Sequence, residues 1–408
     1  MSNISAAPRA AVIFIFITVC IDIISFGIII PVLPHLVTTF AGGDIAHGAR
    51  VYGVFTTVWA LMQFFSSPIL GALSDRFGRR PVILLSCVGM GLDFILMAMA
   101  PNLAWLFVGR MISGITAANF STASAYIADV TSPDKRAAAF GMLGVAFGIG
   151  FVIGPAIGGL LGSIDPHLPF WAGAVLALIN AAYGYFVLPE SLAPEHRSAF
   201  SWRKANPLGA LKLLRVHPEL MSMASINFLS QLAQSVYSTV IVLYMGYRYS
   251  WDAGQIGMTL ALVGVCSAIV QGGLTGPVVR YFGERHALLF SLLIGIAGFV
   301  IFGLSSTGIL FLCGIPVIAL SGFANPAVQS LMTQRVLPSE QGLLQGANAA
   351  LIGITGMIGP ILFSETYARF IDPDNTVHLP GAPFLLAAVL MTVAAFIAWR
   401  AVRVNSAR

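Results

Sequence analysis

Asp22 stands deep inside the apolar run 10–39, where no other ionisable residue precedes it until Arg9 outside the run. A charge at the centre of a membrane helix costs about 2.5–3.5 kcal/mol on insertion scales, so a carboxyl kept there calls for a specific role. Burial disfavours the ionised form and a nearby cation favours it. A carboxyl that alternates between those surroundings carries a proton or binds a cationic substrate; the plainer alternative is a fixed structural hydrogen bond. Three more charges in the first half of the chain stand in or beside apolar runs. Asp93 lies within 81–100, Arg110 lies early in 103–128, and Asp129 follows at the boundary, where a charge costs little. Arginine stays charged under ordinary conditions, so Arg110 can bias a carboxylate but cannot itself release a proton.

Neutral polar groups accompany them. Gln63, Asn119, Gln231, Gln234, Gln271, Asn325 and Gln329 interrupt otherwise apolar stretches. They are candidates to hydrogen-bond a substrate in a central cavity, or to serve as interhelical contacts worth about 0.6 kcal/mol each. Other chemistry finds no support. Cys20, Cys87, Cys266 and Cys313 fall in apolar runs at unrelated spacings and read as small buried hydrophobes. The seven histidines sit at ends or connections, without a metal-ligand pattern. No metal site, Ser/His/acid arrangement or P-loop is legible, which argues against an enzyme or an ATPase. Any energy the chain uses is therefore not expected to come from ATP hydrolysed within it.

These residues need a frame, and the composition specifies it. The 408-residue chain is 57% hydrophobic and 9% charged, against about 25% charged in a soluble domain. Lipid is therefore the solvent for most of its surface. About 20 apolar residues cross a bilayer as helix. Candidate spans are 10–39, 51–73, 81–100, 103–128, 137–162 and 169–188, then 219–246, 253–279, 287–305, 308–333, 342–369 and 382–401. The first run is too long for a signal peptide and is expected to remain as the first helix.

Basic residues set the expected orientation. Arg76, Arg79, Arg80, Lys135, Arg136, Arg197, Arg203, Lys204, Lys212, Arg215, Arg280, Arg285 and Arg335 share one set of connections with both termini, whereas the alternate set holds Arg50, Arg248 and Arg369. Both termini are thus expected in the cytoplasm. The formal charge of +5 is a topology signal, and no clustered basic face points to nucleic acid.

The polar stretch 189–218 divides the spans six and six. The reading is an N-terminal six-helix bundle over 1–188, a cytoplasmic linker over 189–218 and a C-terminal six-helix bundle over 219–408. The halves also match at an offset of 205: Gly71 to Arg80 against Gly276 to Arg285, Gly154-Pro155 against Gly359-Pro360, and Gly141 against Gly346. Such matches argue for an internal repeat with substrate at the interface of its halves. Asp75 and Arg79 become Arg280 and Glu284 in the repeat, a charge reversal that could form a cytoplasmic latch across the halves or merely mark tight turns.

GALSDRFGRRPV, with Gly71, Asp75, Arg76, Gly78, Arg79 and Arg80, resembles the signature loop of the major facilitator superfamily. GIGFVIGPAIGG, with Gly150, Gly154, Pro155, Gly158 and Gly159, resembles the antiporter motif of its drug/proton exporters. Physically, Pro155 removes a backbone donor and the glycines clear a face for another helix. The run is not a dinucleotide loop, since no strand precedes it. Further matches at Pro31 to Pro34, Gln63, Gly91-Leu-Asp93, Gly109-Arg110, Tyr126 to Asp129, Trp251-Asp252 and Gln271 extend the resemblance to the tetracycline exporter group. The resemblance implies an all-α fold of two six-helix bundles related by pseudo-two-fold symmetry, functional as a monomer in a bacterial inner membrane. It implies proton-driven export of an amphipathic drug, with no cofactor beyond a divalent cation carried in complex with the substrate. It also links Arg110 to proton coupling, with a static interhelical salt bridge as the alternative, and gives Asp93 a coupling or structural role. Asp129, at the cytoplasmic end of its run, is expected in a gate or loop-pairing role rather than in substrate contact. Two family positions differ: Ser267 replaces a histidine and Ile294 an acidic residue. A different drug or metabolite is the alternative substrate, and a non-cycling receptor or scaffold the alternative class.

Overall fold

Lipid leaves a chain two ways to satisfy its backbone, helices or a closed barrel, and this chain takes the first. The structure, a computed structural model, describes residues 6–117, 119–132, 135–202, 206–217, 220–337 and 340–406, and among them no strand occurs. The first half holds α1 (Ala6–Ile29), α2 (Leu33–Phe40), α3 (Ile45–Phe77), α4 (Arg79–Ala98), α5 (Leu103–Thr116), α6 (Asn119–Val130), α7 (Arg136–Gly162) and α8 (Leu168–Val187). After the short α9 (Lys212–Val216) come α10 (Met221–Thr239), α11 (Ile241–Tyr249), α12 (Ala253–Ile269), α13 (Thr275–Leu304), α14 (Gly308–Ala319), α15 (Ala324–Thr333), α16 (Gln341–Ile371) and α17 (Ala382–Ser406).

Several spans that read as single runs are broken helices. The run 219–246 is α10 and α11, bent by 51°. The run 103–128 is α5 and α6, parted after Thr116, and 308–333 is α14 and α15 with a tighter turn over Leu320–Phe323 between them. Conversely, 253–279 and 287–305 join in one helical stretch of 52 residues, Ala253–Leu304. At 1.5 Å per residue that stretch is roughly 78 Å long, far more than one crossing of a core about 30 Å thick. Gly283 divides it, with φ 75° and ψ 159°, a conformation that side-chain-bearing residues avoid. Gly78, at φ 107° and ψ 160°, separates α3 from α4 in the same way. Ten helices among the described residues are long and apolar enough to cross a bilayer. Taking α10–α11 as one span and Ala253–Leu304 as two gives twelve, the number expected from the sequence. The chain is a multi-pass membrane protein.

The narrow break at Pro101-Asn102 has a local cause. Asn102 accepts hydrogen bonds from the backbone N–H groups of Ala104 and Trp105, at 3.1 and 3.3 Å. It thereby caps α5.

The helices pack as two units. The first comprises Met1–Phe40, Val58–Asn206 and Asp252–Gly264, and the second comprises Ala41–Thr57, Pro207–Trp251 and Val265–Arg408. The division follows contact rather than chain order, so the start of α3 is counted with the second unit and the start of α12 with the first. Within the first unit α1 packs on α7 and α8, and α4 on α8 and α5. Within the second, α10 packs on α16 and α17, and α13 on α17 and α14. The two units repeat one packing scheme, as an internal duplication requires.

Candidate functional site

The first unit holds a half-open cavity of about 200 Å³. Its polar lining is Asp22 on α1, Gln63 on α3, and Ser113 and Thr116 on α5. Its apolar walls are aromatic in large part: Phe26 and Trp59 stack with centroids 5.7 Å apart, and Phe147 and Phe151 stack at 5.2 Å. Local helical spacing explains the set. Asp22 and Phe26, Trp59 and Gln63, and Phe147 and Phe151 are each four residues apart, so each pair shares one helix face. Gln63 donates to the carbonyl of Ala117 at 3.4 Å, just past the end of α5. The broken helix thus supplies a backbone acceptor at the cavity wall, where an intact one would hide it.

The glycines of the antiporter motif set where Asp22 stands. A Cβ on Gly154 would lie 2.8 Å from the Cα of Gly27 and 2.9 Å from the carbonyl oxygen of Ile24. Gly150 faces Ile23, and Gly158 faces the backbone of Ile28. Three successive turns of α7 therefore lack side chains where α1 crosses, directly beside Asp22. Gly159 serves a second crossing in the same unit: its Cβ would lie 2.8 Å from the Cα of Gly257 on α12. Pro155 stays inside α7, and its ring carbon would be 3.1 Å from a Cβ on Gly27.

Behind the cavity lie the other two charges. Asp93 is wholly buried, and Arg110 is 5% exposed. Gly109 makes room for the carboxyl, since a Cβ there would lie 2.8 Å from Asp93 Oδ1. No described residue hydrogen-bonds either oxygen of Asp93 in ordinary geometry. Arg110 and Ser113 are the charged and polar groups near enough to act on it. The guanidinium of Arg110 lies over the ring of Trp59, 5.3 Å from its centroid, within cation–π range.

The remaining candidates are dispersed. Gln231 and Gln234 are half-buried on α10, whereas Gln271 and Asn325 are exposed. Asn119 opens α6, but its side chain lies outside the described residues. Gln329 joins a buried amide network that the sequence did not single out: Asn348 donates to its Oε1 at 3.1 Å, and Asn227 donates to Asn348 at 3.3 Å. Asn180 was missed as well. Fully buried, it donates to the carbonyl of Thr18 at 2.8 Å and ties α8 to α1. Among the described residues no group of three or more His, Cys, Asp or Glu side chains could hold a metal ion.

The signature loop closes on itself. Arg79 pairs with Asp75, donates to Ser74 Oγ at 2.8 Å and reaches Asp129 at 3.1 Å. Glu190, read from the sequence only as a linker charge, accepts from the backbone N–H groups of Arg79, Arg80 and Leu192 at 2.8, 3.2 and 3.0 Å. An acidic side chain at this helix start also suits the helix dipole. Arg80 donates to the carbonyl of Tyr185 and stacks on its ring, whereas Arg76 is exposed. In the second unit Glu284 accepts from Ser330 and, at 2.8 Å, from Gln334, while Arg280 is exposed. Gln334 follows Asp129 by the same 205 residues that separate Glu284 from Arg79. Asp75, Arg79 and Glu284 are thus held by partners in their own unit.

The chain's likeness to known proteins can now be set beside this geometry. The profile of the Major Facilitator Superfamily matches residues 15–226 and 223–408. The class C tetracycline resistance protein of Escherichia coli is 38% identical over 386 residues, 94% of this chain and 95% of that one. The class B protein of Escherichia coli is 34% identical over 377 residues, covering 91% and 92%. Among solved structures, the human organic anion transporter MFSD10 (TETRAN) superposes with a TM-score of 0.71 at 23% identity, over 96% of this chain and 99% of that one. The nucleoside transporter NupG gives 0.78 at 13% identity, over 96% and 98%; at such identities the likeness is one of fold. Profile, relatives and fold agree that this chain is a transporter rather than an enzyme, and it belongs to the major facilitator superfamily, among the relatives of its tetracycline resistance proteins.

Proposed function

We propose that this chain is a proton-coupled antiporter that exports an amphipathic, tetracycline-like drug by alternating access. It works as a monomer in a bacterial inner membrane with both termini in the cytoplasm. The observation that carries this reading is the cavity of the first unit, where one carboxyl, Asp22, meets two aromatic stacks. Flat apolar walls with a few placed polar groups suit a planar amphipathic ligand. Asp93 and Arg110 lie behind the same wall and supply a buried pair whose protonation can change with conformation. Asp22 and Asp93 carry the exchange, and Arg110 biases it. Gln63 orients the ligand beside the open carbonyl of Ala117. A divalent cation enters only as cargo, bound to the drug.

Motion is assigned to the glycine crossings and the cytoplasmic loops. Gly71, Gly78, Arg79, Arg80 and Asp129 form a rigid corner in the first unit, and Arg280 and Glu284 mark its counterpart in the second. Ligand and proton shift the balance of states only through their different affinities for each.

A second reading keeps the antiporter and changes the cargo. Ser267 and Ile294 stand where the tetracycline exporters carry ionisable groups, which favours another amphipathic drug or a metabolite. Uptake of tetracycline into proteoliposomes, with and without magnesium and an imposed pH gradient, separates the two. Gradient-driven, magnesium-dependent uptake supports the first reading. Uptake of another amphipathic compound alone supports the second, and absence of gradient-driven uptake of any compound would leave a non-cycling protein.

A further inference from the structure

Trp59 occupies a place that neither the motifs nor the charged residues explain. Its indole forms part of the cavity wall and stacks on Phe26 at an interplanar angle of 28°. The guanidinium of Arg110 lies over the same ring, 5.3 Å from its centroid. The indole Nε1 is buried and has no hydrogen-bond partner among the described residues. A buried donor left unpaired is costly, and most buried tryptophan N–H groups find an acceptor. The donor's partner is therefore to be sought in what the cavity takes up.

The backbone holds the ring in this position. On α5, a Cβ at Gly114 would lie 2.6 Å from the carbonyl oxygen of Trp59 and 2.6 Å from Met62 Cβ. The helices touch at that point, one turn from Arg110, so Trp59 cannot drift away from the arginine as a whole. What remains free to change is the ring's tilt and stacking. Arg110 and Ser113 in turn lie near the buried carboxyl of Asp93.

We propose that Trp59 is the positioning residue that reports cavity occupancy to the Asp93–Arg110 pair, binding a planar ligand through its ring face and an acceptor oxygen through its Nε1–H. This rests on the exporter reading given above. A ligand that stacks beside Phe26 and accepts from Nε1 turns the indole, and the cation–π contact with Arg110 weakens. The guanidinium then bears more strongly on Asp93. The O–H bond of the Asp93 carboxyl breaks, its electron pair stays on the oxygen, and the proton leaves to water. The ligand class that fits is a flat, polycyclic molecule with a carbonyl or enolate oxygen on its edge. An aromatic cation without an edge acceptor would stack but leave Nε1 unpaired.

Trp59→Phe and Trp59→Leu separate the two parts of this role. Phenylalanine keeps a ring under Arg110 and loses the donor; leucine loses both. The probe is tetracycline, titrated into the purified full-length protein in weakly buffered detergent, with binding and pH followed together. The wild type is expected to release protons as it binds. Trp59→Phe should bind about three- to tenfold more weakly, the range of one lost neutral hydrogen bond, and still release protons for each ligand bound. Trp59→Leu, at ligand concentrations that fill the site, should release far fewer. Unchanged melting temperatures establish that both variants are folded; for a variant that fails to fold, Trp59→Tyr, which keeps a ring and moves the donor, replaces it and should also bind more weakly.

Two results overturn the inference alone: wild-type affinity in the phenylalanine variant, or wild-type proton release per bound ligand in the leucine variant. A wild-type protein that binds no tetracycline, or binds it without releasing protons, would overturn the tetracycline-exporter reading and this inference together.

Discussion

Alanine at position 154 should destabilise the protein, and alanine at 144 on the same helix should not. Both changes add one methyl group to a glycine inside α7. Both gain the same helix propensity, about 1 kcal/mol for Gly to Ala in a helix interior, so propensity cancels between them. Space does not. The new Cβ at 154 meets the Cα of Gly27 at 2.8 Å and the carbonyl oxygen of Ile24 at 2.9 Å, while at 144 nothing described lies within 4 Å. Carbon atoms sit comfortably about 3.5–4.0 Å apart, so α1 must retreat by roughly 0.7 Å or more. The obstructing atoms are backbone and cannot rotate aside. Overpacking of this kind costs about 1–3 kcal/mol, and that is the predicted stability difference between the two variants. Thermal unfolding of the purified proteins in one detergent, followed by intrinsic fluorescence, measures it. Because α1 carries Asp22 into the cavity, Gly154→Ala should also lose transport activity in the fraction that remains folded. Equal melting temperatures for Gly154→Ala and Gly144→Ala would refute the reading of the motif as a helix crossing.

Other consequences can be tested with single changes. Glu190→Ala removes an acceptor from three backbone N–H groups and should cost about 1–2 kcal/mol, the range of a lost helix cap. Trypsin should then cut at the exposed Arg197 faster than in the wild type; an unchanged rate would contradict the capping role. Glu340, outside the spans, is held below its ordinary value of 4.5 first by a hydrogen bond from His217, then by one from the backbone N–H of Leu337. A carboxylate with a depressed value contributes stability above its unfolded value and loses it as pH falls through the folded one. Glu340→Gln should therefore melt below the wild type at neutral pH, with the gap closing as the pH drops below 4.5; a gap independent of pH would count against the pair.

The sequence made the charges legible and the surroundings much less so. Asp22, Asp93 and Arg110 announce themselves because an ionisable residue in an apolar run is expensive wherever the helices turn. Trp59 and Phe26 carry no such mark among 28 phenylalanines and 6 tryptophans. Helical spacing from Gln63 and Asp22 would have found them, since each lies four residues from a polar anchor. The antiporter glycines were legible as a cleared face, but not which helix fills it, because that depends on contacts between segments more than a hundred residues apart. Glu190 read as one charge in a polar linker, since a cap of α4 is defined only once residue 190 folds back beside Gly78. The helix break at 240 had no neighbouring Gly or Pro to announce it. The break at 117 is marked by its place on the cavity wall and by the hydrogen bond from Gln63.

The most direct test of the central claim reconstitutes the wild type and Asp22→Asn into proteoliposomes and follows tetracycline and protons simultaneously across an imposed pH gradient. The account predicts that the wild type moves drug and protons in opposite directions, that a protonophore abolishes the drug movement, and that Asp22→Asn is folded but does neither. Gradient-driven tetracycline movement by Asp22→Asn at the wild-type rate would contradict it.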